Sequence, residues 1–292
     1  MANARYLLLD VFTNVAFAGN QLAVFPDVNI DDAAMQRVAR ELNLSETVFV
    51  ERGESDCAAK LRIFTPAREL PFAGHPTIGA ALALVEHLRW VARDAGGFAL
   101  RLRVGDIPIR VDSSGARATA WLTTPPVTLG ETVDASDAAA LLRLSQADLR
   151  DDLPSQIASA GNPFLFIPLR STAAVDRATC DESVFARLGL PPEVTGVYLF
   201  ARTPNGAYAR MFAPMSGVSE DPATGSATGP LYAYLAEYGA LPRTEHFTNE
   251  QGVAMGRPSV IYVHIEWSGA LPVRIDIGGE AVLVGEGTLR LP

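Results

Sequence analysis

Apolar positions recur with period two, or in short unbroken runs, over most of the chain, and with helical spacing in a few segments. The alternation predicts strands at 5–12 and 21–25, followed by a helix over 31–42 whose Ala34, Met35, Val38, Ala39 and Leu42 fall on one face. Strands follow at 47–50 and 58–64, then a helix from Pro76 to about Arg89. Its Ile78, Ala81, Leu82, Leu84 and Val85 surround the axis, the mark of a helix buried inside its domain. Further strands are expected at 98–104, 107–111 and 119–123, and Thr124-Pro125-Pro126 reads as a break. Beyond it the pattern gives helices at 138–144 and 182–188, strands at 164–169, 196–201 and 208–212, and a second all-round apolar helix at 226–238. Leu231, Tyr232, Tyr234 and Leu235 surround that axis, and Gly239 follows as its stop signal. Strands at 260–265, 273–277 and 281–291 close the chain.

The two all-round apolar helices are entered alike. Arg62-Ile63-Phe64-Thr65-Pro66 leads by a loop to Gly74-His75-Pro76-Thr77-Ile78-Gly79, and Arg210-Met211-Phe212-Ala213-Pro214 leads by a loop through Asp221 to Gly225-Ser226-Ala227-Thr228-Gly229. Setting Pro66 on Pro214 gives an offset of 148 and setting Gly79 on Gly229 gives 150, an internal repeat with two extra loop residues in the second copy. The expected architecture is α/β (α+β): two similar domains, each a curved sheet around one buried helix, with the active site between them. The first turn of a helix leaves N–H groups without intrahelical partners, and the dipole adds partial positive charge there. A small anionic molecule is the ligand such helix mouths receive.

Glu46, His75 and Asp221 are the titratable residues best placed for chemistry. Glu46 sits where helix passes to strand: it is a solvated edge residue, or, inside a cleft, a carboxylate whose burial favours proton transfer. His75 at a helix mouth is either a cap or a proton-exchanging imidazole, and Asp221 before Pro222 either starts a turn or binds a ligand. The matched copies favour a site.

Composition narrows the classes. The chain has 292 residues, 48% hydrophobic and 20% charged, enough for two buried cores. Its net charge of −9, without a basic run, argues against nucleic acid and anionic membrane partners. Tyr6-Leu7-Leu8-Leu9 is cut short by Asp10, too brief for a signal core, which places the protein in the cytoplasm. Cys57 and Cys180 lie outside both motifs and read as idle thiols in a reducing compartment. Lys60, the only lysine, lies in a strand without a phosphate loop, which argues against pyridoxal phosphate. His87 ends a helix, and His246 and His264 fall in polar loop and strand contexts without partner spacing, so no metal site is expected. The serine of Gly225-Ser226-Ala227-Thr228-Gly229 is one place too early for a nucleophile elbow, and no helix follows Gly285-Glu286-Gly287 to make a dinucleotide fingerprint.

Several blocks together resemble the PhzF-type isomerases of phenazine biosynthesis, within the diaminopimelate epimerase-like fold. They are Asp10-Val11-Phe12, Gly19-Asn20-Gln21-Leu22-Ala23-Val24-Phe25, Asn43-Leu44-Ser45-Glu46-Thr47, the run from Phe64 to Pro76, that from Asp221 to Gly229, and that from Gln251 to Ser259. The resemblance implies domains at 1–125 and 126–277, with 278–292 returning to the first, and a homodimer. It implies a proton shift without cofactor or metal in trans-2,3-dihydro-3-hydroxyanthranilate or a similar compound. Glu46 would move the proton, His75 and Asp221 would assist, and Asn20, Ser45, Gly74, Gly225 and Ser226 would hold the substrate. Diaminopimelate epimerases carry a cysteine at each helix mouth; Gly74 and Asp221 stand in those neighbourhoods here, which excludes inversion by a thiol pair. Gln21 and Pro222 stand where the closest phenazine enzymes would have Pro and Ala.

Overall fold

In the computed structural model, which describes residues 2–54, 57–216 and 218–291, the chain divides into two units: Met1–Thr123 with Gly278–Pro292, and Thr124–Ile277. The first unit runs β1 (Ala2–Val11), β2 (Asn20–Pro26), α1 (Asp32–Leu42), β3 (Glu46–Arg52), β4 (Ala59–Phe64), β5 (Glu69–Leu70), α2 (Gly74–Leu82), β6 (Gly97–Leu102), β7 (Gly105–Asp112) and β8 (Thr119–Thr123), and is joined by the last strand, β18 (Ala281–Leu291). β1 lies antiparallel between β2 and β18, with Leu9 opposite Leu22 and Leu283. β2 and β3 are parallel, as are β4 and β6; β3–β4, β4–β5, β6–β7 and β7–β8 are antiparallel.

Strand alternation sorts the apolar residues to two faces. Ala23, Phe25 and Phe49 pack with Met35, Val38 and Ala39 of α1 on one face. Leu22, Val24, Val48 and Val50 point to the other, toward α2, all of whose residues are buried. α1 has the ends that a solvent-facing helix needs: the Asp31 carboxylate accepts from Ala34 N–H, and Asn43 closes it at φ 51°. α2 has no side-chain cap at Ala73, and Gly79 lets it sit against the sheet. A Cβ there would fall 2.5 Å from Leu22 Cδ2 and 2.7 Å from Val11 Cγ2.

The second unit runs β9 (Thr128–Val133), α3 (Ala135–Leu141), β10 (Ser155–Ser159), β11 (Pro163–Leu169), α4 (Thr172–Arg177), α5 (Glu182–Arg187), β12 (Gly196–Thr203), β13 (Gly206–Ala213), β14 (Val218–Asp221), α6 (Gly225–Glu237), β15 (His246–Gln251), β16 (Ser259–Ser268) and β17 (Leu271–Gly279). Its sheet is sorted in the same way. Phe164, Phe166, Tyr198, Phe200, Ala209 and Met211 pack on α6. Leu165, Ile167, Val197, Leu199, Tyr208 and Phe212 pack on α3, α4 and α5. A Cβ at Gly229 of α6 would fall 2.2 Å from Thr124 Oγ1, a close approach of the same kind as that at Gly79 though one residue out of helical register with it.

The duplication extends to the pairing rules. β10–β11, β12–β13, β13–β14 and β15–β16 are antiparallel and β11–β12 and β13–β15 parallel, matching β1–β2, β3–β4, β4–β5, β6–β7, β2–β3 and β4–β6 in turn. It extends to ion pairs as well. Arg62 grips Glu69 with two N–H donors and lies over the Phe64 ring at 5.3 Å. Arg210 grips Glu220 likewise and lies over Phe212 at 4.8 Å. Arg210 is the more deeply held, since its Nη1 also donates to the carbonyls of Val175, Asp176 and Ala178.

Several elements differ from the sequence expectation. The helix expected to run to Arg89 leaves α geometry at Leu82 and finishes as a π turn over Ala83–His87. α3 starts at Ala135, ahead of its first buried residue, because helical backbone begins at the turn and not at the apolar face. β9, β10, α4 and β15 were not expected. His246, read as a loop residue, opens β15, whose polar buried positions Asn249 and Gln251 disguise a strand. Counted from the first helical residue, Gly74 corresponds to Gly225, an offset of 151 in place of 150. The threonine hydroxyls bear this register out: Thr77 donates to Ala73 O at 2.7 Å and Thr228 to Thr224 O at 3.1 Å.

Candidate active site

Glu46 is the first residue of β3, on the same face as Val48 and Val50 and therefore toward α2. His75 is the second residue of α2, and its side chain is 5% exposed. The two meet: His75 Nδ1 lies 3.1 Å from Glu46 Oε2. That oxygen is buried and, despite the short distance, is aligned for a hydrogen bond with no described group. The other ring nitrogen, Nε2, lies 3.3 Å from the carbonyl of Gln21. A carbonyl accepts and never donates, so Nε2 carries a hydrogen. Nδ1 then faces the Glu46 carboxylate at 3.1 Å, within reach of a proton passed between the two groups.

The remaining sequence candidates of this unit gather nearby in the chain order. Asn20 opens β2 opposite Val11 and is 1% exposed; Ser45 immediately precedes β3; Gly74 begins α2 and is buried. The loop before Asn20 is held by a residue given no role above: Asp10 Oδ2 accepts from Phe17 N–H at 2.7 Å. Gly19 ends that loop at φ 67°, where a Cβ would fall 2.4 Å from Val11 O.

Asp221 ends β14 and is 7% exposed; Gly225 and Ser226 form the first turn of α6, which, like α2, has no side-chain cap. By contrast α1, α4 and α5 are capped by Asp31, Ser171 and Asp181. The two buried helices thus enter with amides that no N-cap side chain covers, the arrangement suited to an anionic ligand. Pro230 supplies no N–H to the carbonyl of Ser226 four residues before it, which loosens the same turn.

A buried polar network fixes this mouth, and it escaped the sequence reading. Gln251 Nε2 donates to Asp221 O at 2.8 Å and to Thr224 Oγ1 at 2.9 Å, while its Oε1 accepts from Thr224 N–H and from Tyr198 OH, both at 3.0 Å. Thr224 Oγ1 donates on to Asp221 Oδ2. Asn249 Nδ2 donates to Tyr198 OH at 2.7 Å and to Thr228 Oγ1 at 3.2 Å. Burial holds the Tyr198 hydroxyl above its ordinary range, so it remains a neutral donor. Gly252, at φ 76°, lets the chain pass where a Cβ would fall 2.6 Å from Pro222 O. The available signal was Gln251-Gly252 within the last resembling block.

His246 and His264, set aside above, are opposite one another in the β15–β16 pair. Register, invisible in the spacing of 18 residues, brings them together.

Comparison with known proteins follows the same line. The family model described as phenazine biosynthesis-like protein, PhzC-PhzF, matches residues 9–287. The trans-2,3-dihydro-3-hydroxyanthranilate isomerase of Pseudomonas aeruginosa is 34% identical over 295 residues, covering 98% of this chain and 99% of that one. The structure of a predicted epimerase from Pseudomonas aeruginosa is similar with a TM-score of 0.83 at 36% identity, covering 99% and 100% of the two chains. A PhzF-family phenazine biosynthesis protein of Bacillus anthracis shares the fold, with a TM-score of 0.88 at 24% identity over 100% of both chains.

Proposed function

Because the chain belongs to the PhzC-PhzF family of phenazine biosynthesis-like proteins and is an isomerase, we propose that it moves a proton between two carbons of a small cyclic amino carboxylate, trans-2,3-dihydro-3-hydroxyanthranilate or a close analogue. The observation that carries this reading is the Glu46–His75 pair, a buried carboxylate oxygen 3.1 Å from an imidazole nitrogen at the mouth of a buried helix.

In this reading Glu46 Oε2 takes the proton from a ring carbon. The electron pair left behind is delocalised into the conjugated system. Glu46 then returns the proton to another carbon on the same face, and the enol so formed tautomerises to a ketone. The proton is conserved and no electron leaves the substrate, so the transfer calls for neither a cofactor nor a metal. His75, anchored through Nε2 on the Gln21 carbonyl, orients Glu46 and shares its proton. Asp221, Gly225 and Ser226, with Asn20, Ser45 and Gly74, hold the carboxylate and amino groups. The same reading has the enzyme act as a homodimer in the cytoplasm, which sedimentation and fractionation check.

A second substrate is favoured by one observation. Gln21 and Pro222, the departures from the phenazine pattern, adjoin Asn20 and Asp221 in the chain, and an altered residue beside a substrate-binding one changes what is accepted and leaves the proton transfer in place. Incubation with trans-2,3-dihydro-3-hydroxyanthranilate in deuterated water separates the cases. Consumption with deuterium uptake, abolished in Glu46→Gln, supports the phenazine-type reaction. Binding without turnover directs the search to another small carboxylate, and turnover that survives Glu46→Gln overturns the role of Glu46.

A further inference from the structure

Away from these residues, the open end of the β15–β16 pair gathers a second group of ligand-type side chains. His246 and His264 are cross-strand partners with ring centroids 5.0 Å apart. Glu245 precedes β15 and is fixed there by its carbonyl, which accepts from Ile265 N–H at 2.8 Å. One ring nitrogen from each histidine and one Glu245 carboxylate oxygen all lie within 4.8 Å of one another. Glu245 and His246 are exposed, so a solute reaches them without any movement of the core.

Such a group could be no more than two mutually tilted surface imidazoles beside an acid. Two features go beyond it. His264 Nδ1 is buried and hydrogen-bonded to no described group, and it lies 3.9 Å from Oδ2 of Asp276, a side chain that is 3% exposed. Asp276 is itself held, its Oδ1 accepting from Arg274 Nε at 2.8 Å. A carboxylate behind the inner nitrogen of an imidazole is the support that metal-ligating histidines use, since it fixes the tautomer and turns the other nitrogen outward. Two imidazoles and one carboxylate are also the donor set of zinc sites that keep a position open for water.

We propose that Glu245, His246 and His264 form a binding site for a divalent transition-metal ion of the zinc class, with Asp276 positioning His264. Tetrahedral zinc with bonds of about 2.0–2.1 Å places its ligand atoms about 3.4 Å apart. The exposed Glu245 and His246 close that gap by rotamer change, while His264 supplies Nε2 with Nδ1–H directed at Asp276. Bound metal ties the first residue of β15 to β16. Since β15 also carries Asn249 and Gln251, the metal would stiffen the strand from which the mouth of α6 is held. The inference stands independently of the isomerase reading.

Titration of the metal-free protein with zinc chloride, followed calorimetrically, tests it. One saturable site per chain is expected, together with a zinc-dependent rise in Tm. Outer-shell partners alone are worth about tenfold to a hundredfold in metal affinity, so Asp276→Asn should weaken binding by about tenfold, and His246→Ala or His264→Ala by at least as much. The exposed His246→Ala retains the fold even if a His264 variant does not, and circular dichroism verifies this. Absence of saturable binding overturns the proposal. So does binding of unchanged affinity in His246→Ala, which would place the metal elsewhere on the chain.

Discussion

Glu46 and His75 are 29 residues apart in the chain, on β3 and α2, yet Oε2 and Nδ1 stand 3.1 Å apart. Such a pair works as one device. Glu46→Asp withdraws the carboxylate by about one methylene, a misplacement of roughly 1 Å that is expected to lower kcat by about a hundredfold. His75→Asn is expected to lower kcat by a similar factor with KM little changed. The double variant should be no slower than the slower single one, because residues acting as a unit are not additive. Steady-state kinetics of the three proteins checks this, and multiplied losses would separate the two roles.

Gln251 makes four buried hydrogen bonds, three to the Asp221–Thr224 loop and one from the Tyr198 hydroxyl. Gln251→Leu keeps the volume and removes every one of them, leaving Thr224 N–H and the hydroxyl hydrogen of Tyr198 without their acceptor. A loss of about 2–4 kcal/mol in unfolding free energy is expected. KM should rise as well, since Asp221 loses the donor to its carbonyl. Urea denaturation and substrate titration read the two effects separately.

Gly79→Ala and Gly229→Ala place a methyl within 2.5 Å of Leu22 Cδ2 and 2.2 Å of Thr124 Oγ1. Each is expected to destabilise its unit by about 1–3 kcal/mol through overpacking. Gly285→Ala serves as the control, because the new Cβ meets only Leu8 Cβ at an ordinary 3.9 Å. Its effect on Tm should be slight.

Cys180 is pushed up to about 11, first by burial and then by Glu182 and Asp181. A thiol three pH units below its pKa is about 0.1% thiolate, so reaction with a disulfide reagent at pH 8 should be slow in the native protein and gain about tenfold per pH unit. Cys57 is buried and donates to Ala59 O, and adds no fast phase. Urea should expose two fast thiols; a rapid native phase would contradict the burial.

The sequence pattern revealed those elements whose burial follows side-chain polarity. α1 was visible through Ala34, Met35, Val38 and Ala39, and the apolar faces of β11, β12 and β13 through their alternation. It missed β15, where Asn249 and Gln251 are fully buried and made tolerable by hydrogen bonds that only the folded chain supplies. β10 was hidden for the same reason, with Ser155 and Gln156 buried. Glu46 and His75 were both singled out from the chain, but their 3.1 Å approach depends on the face of β3 and the placement of α2. The histidine pair at 246 and 264 shows the limit most plainly: spacing along the chain carries no register.

The placement of β9 and β18 has a consequence for biosynthesis. Each follows one copy of the repeated strand pattern and pairs with the first strand of the other: β9 with β10, and β18 with β1. As the polypeptide emerges from a ribosome, residues 124–277 are contiguous and have every pairing partner of β10 at hand. β1, made first, waits for Ala281–Leu291 before its second edge is covered. The copy translated second is therefore the one that can finish first, and the nascent first copy carries an open strand edge, exposed to mispairing, through nearly the whole of synthesis.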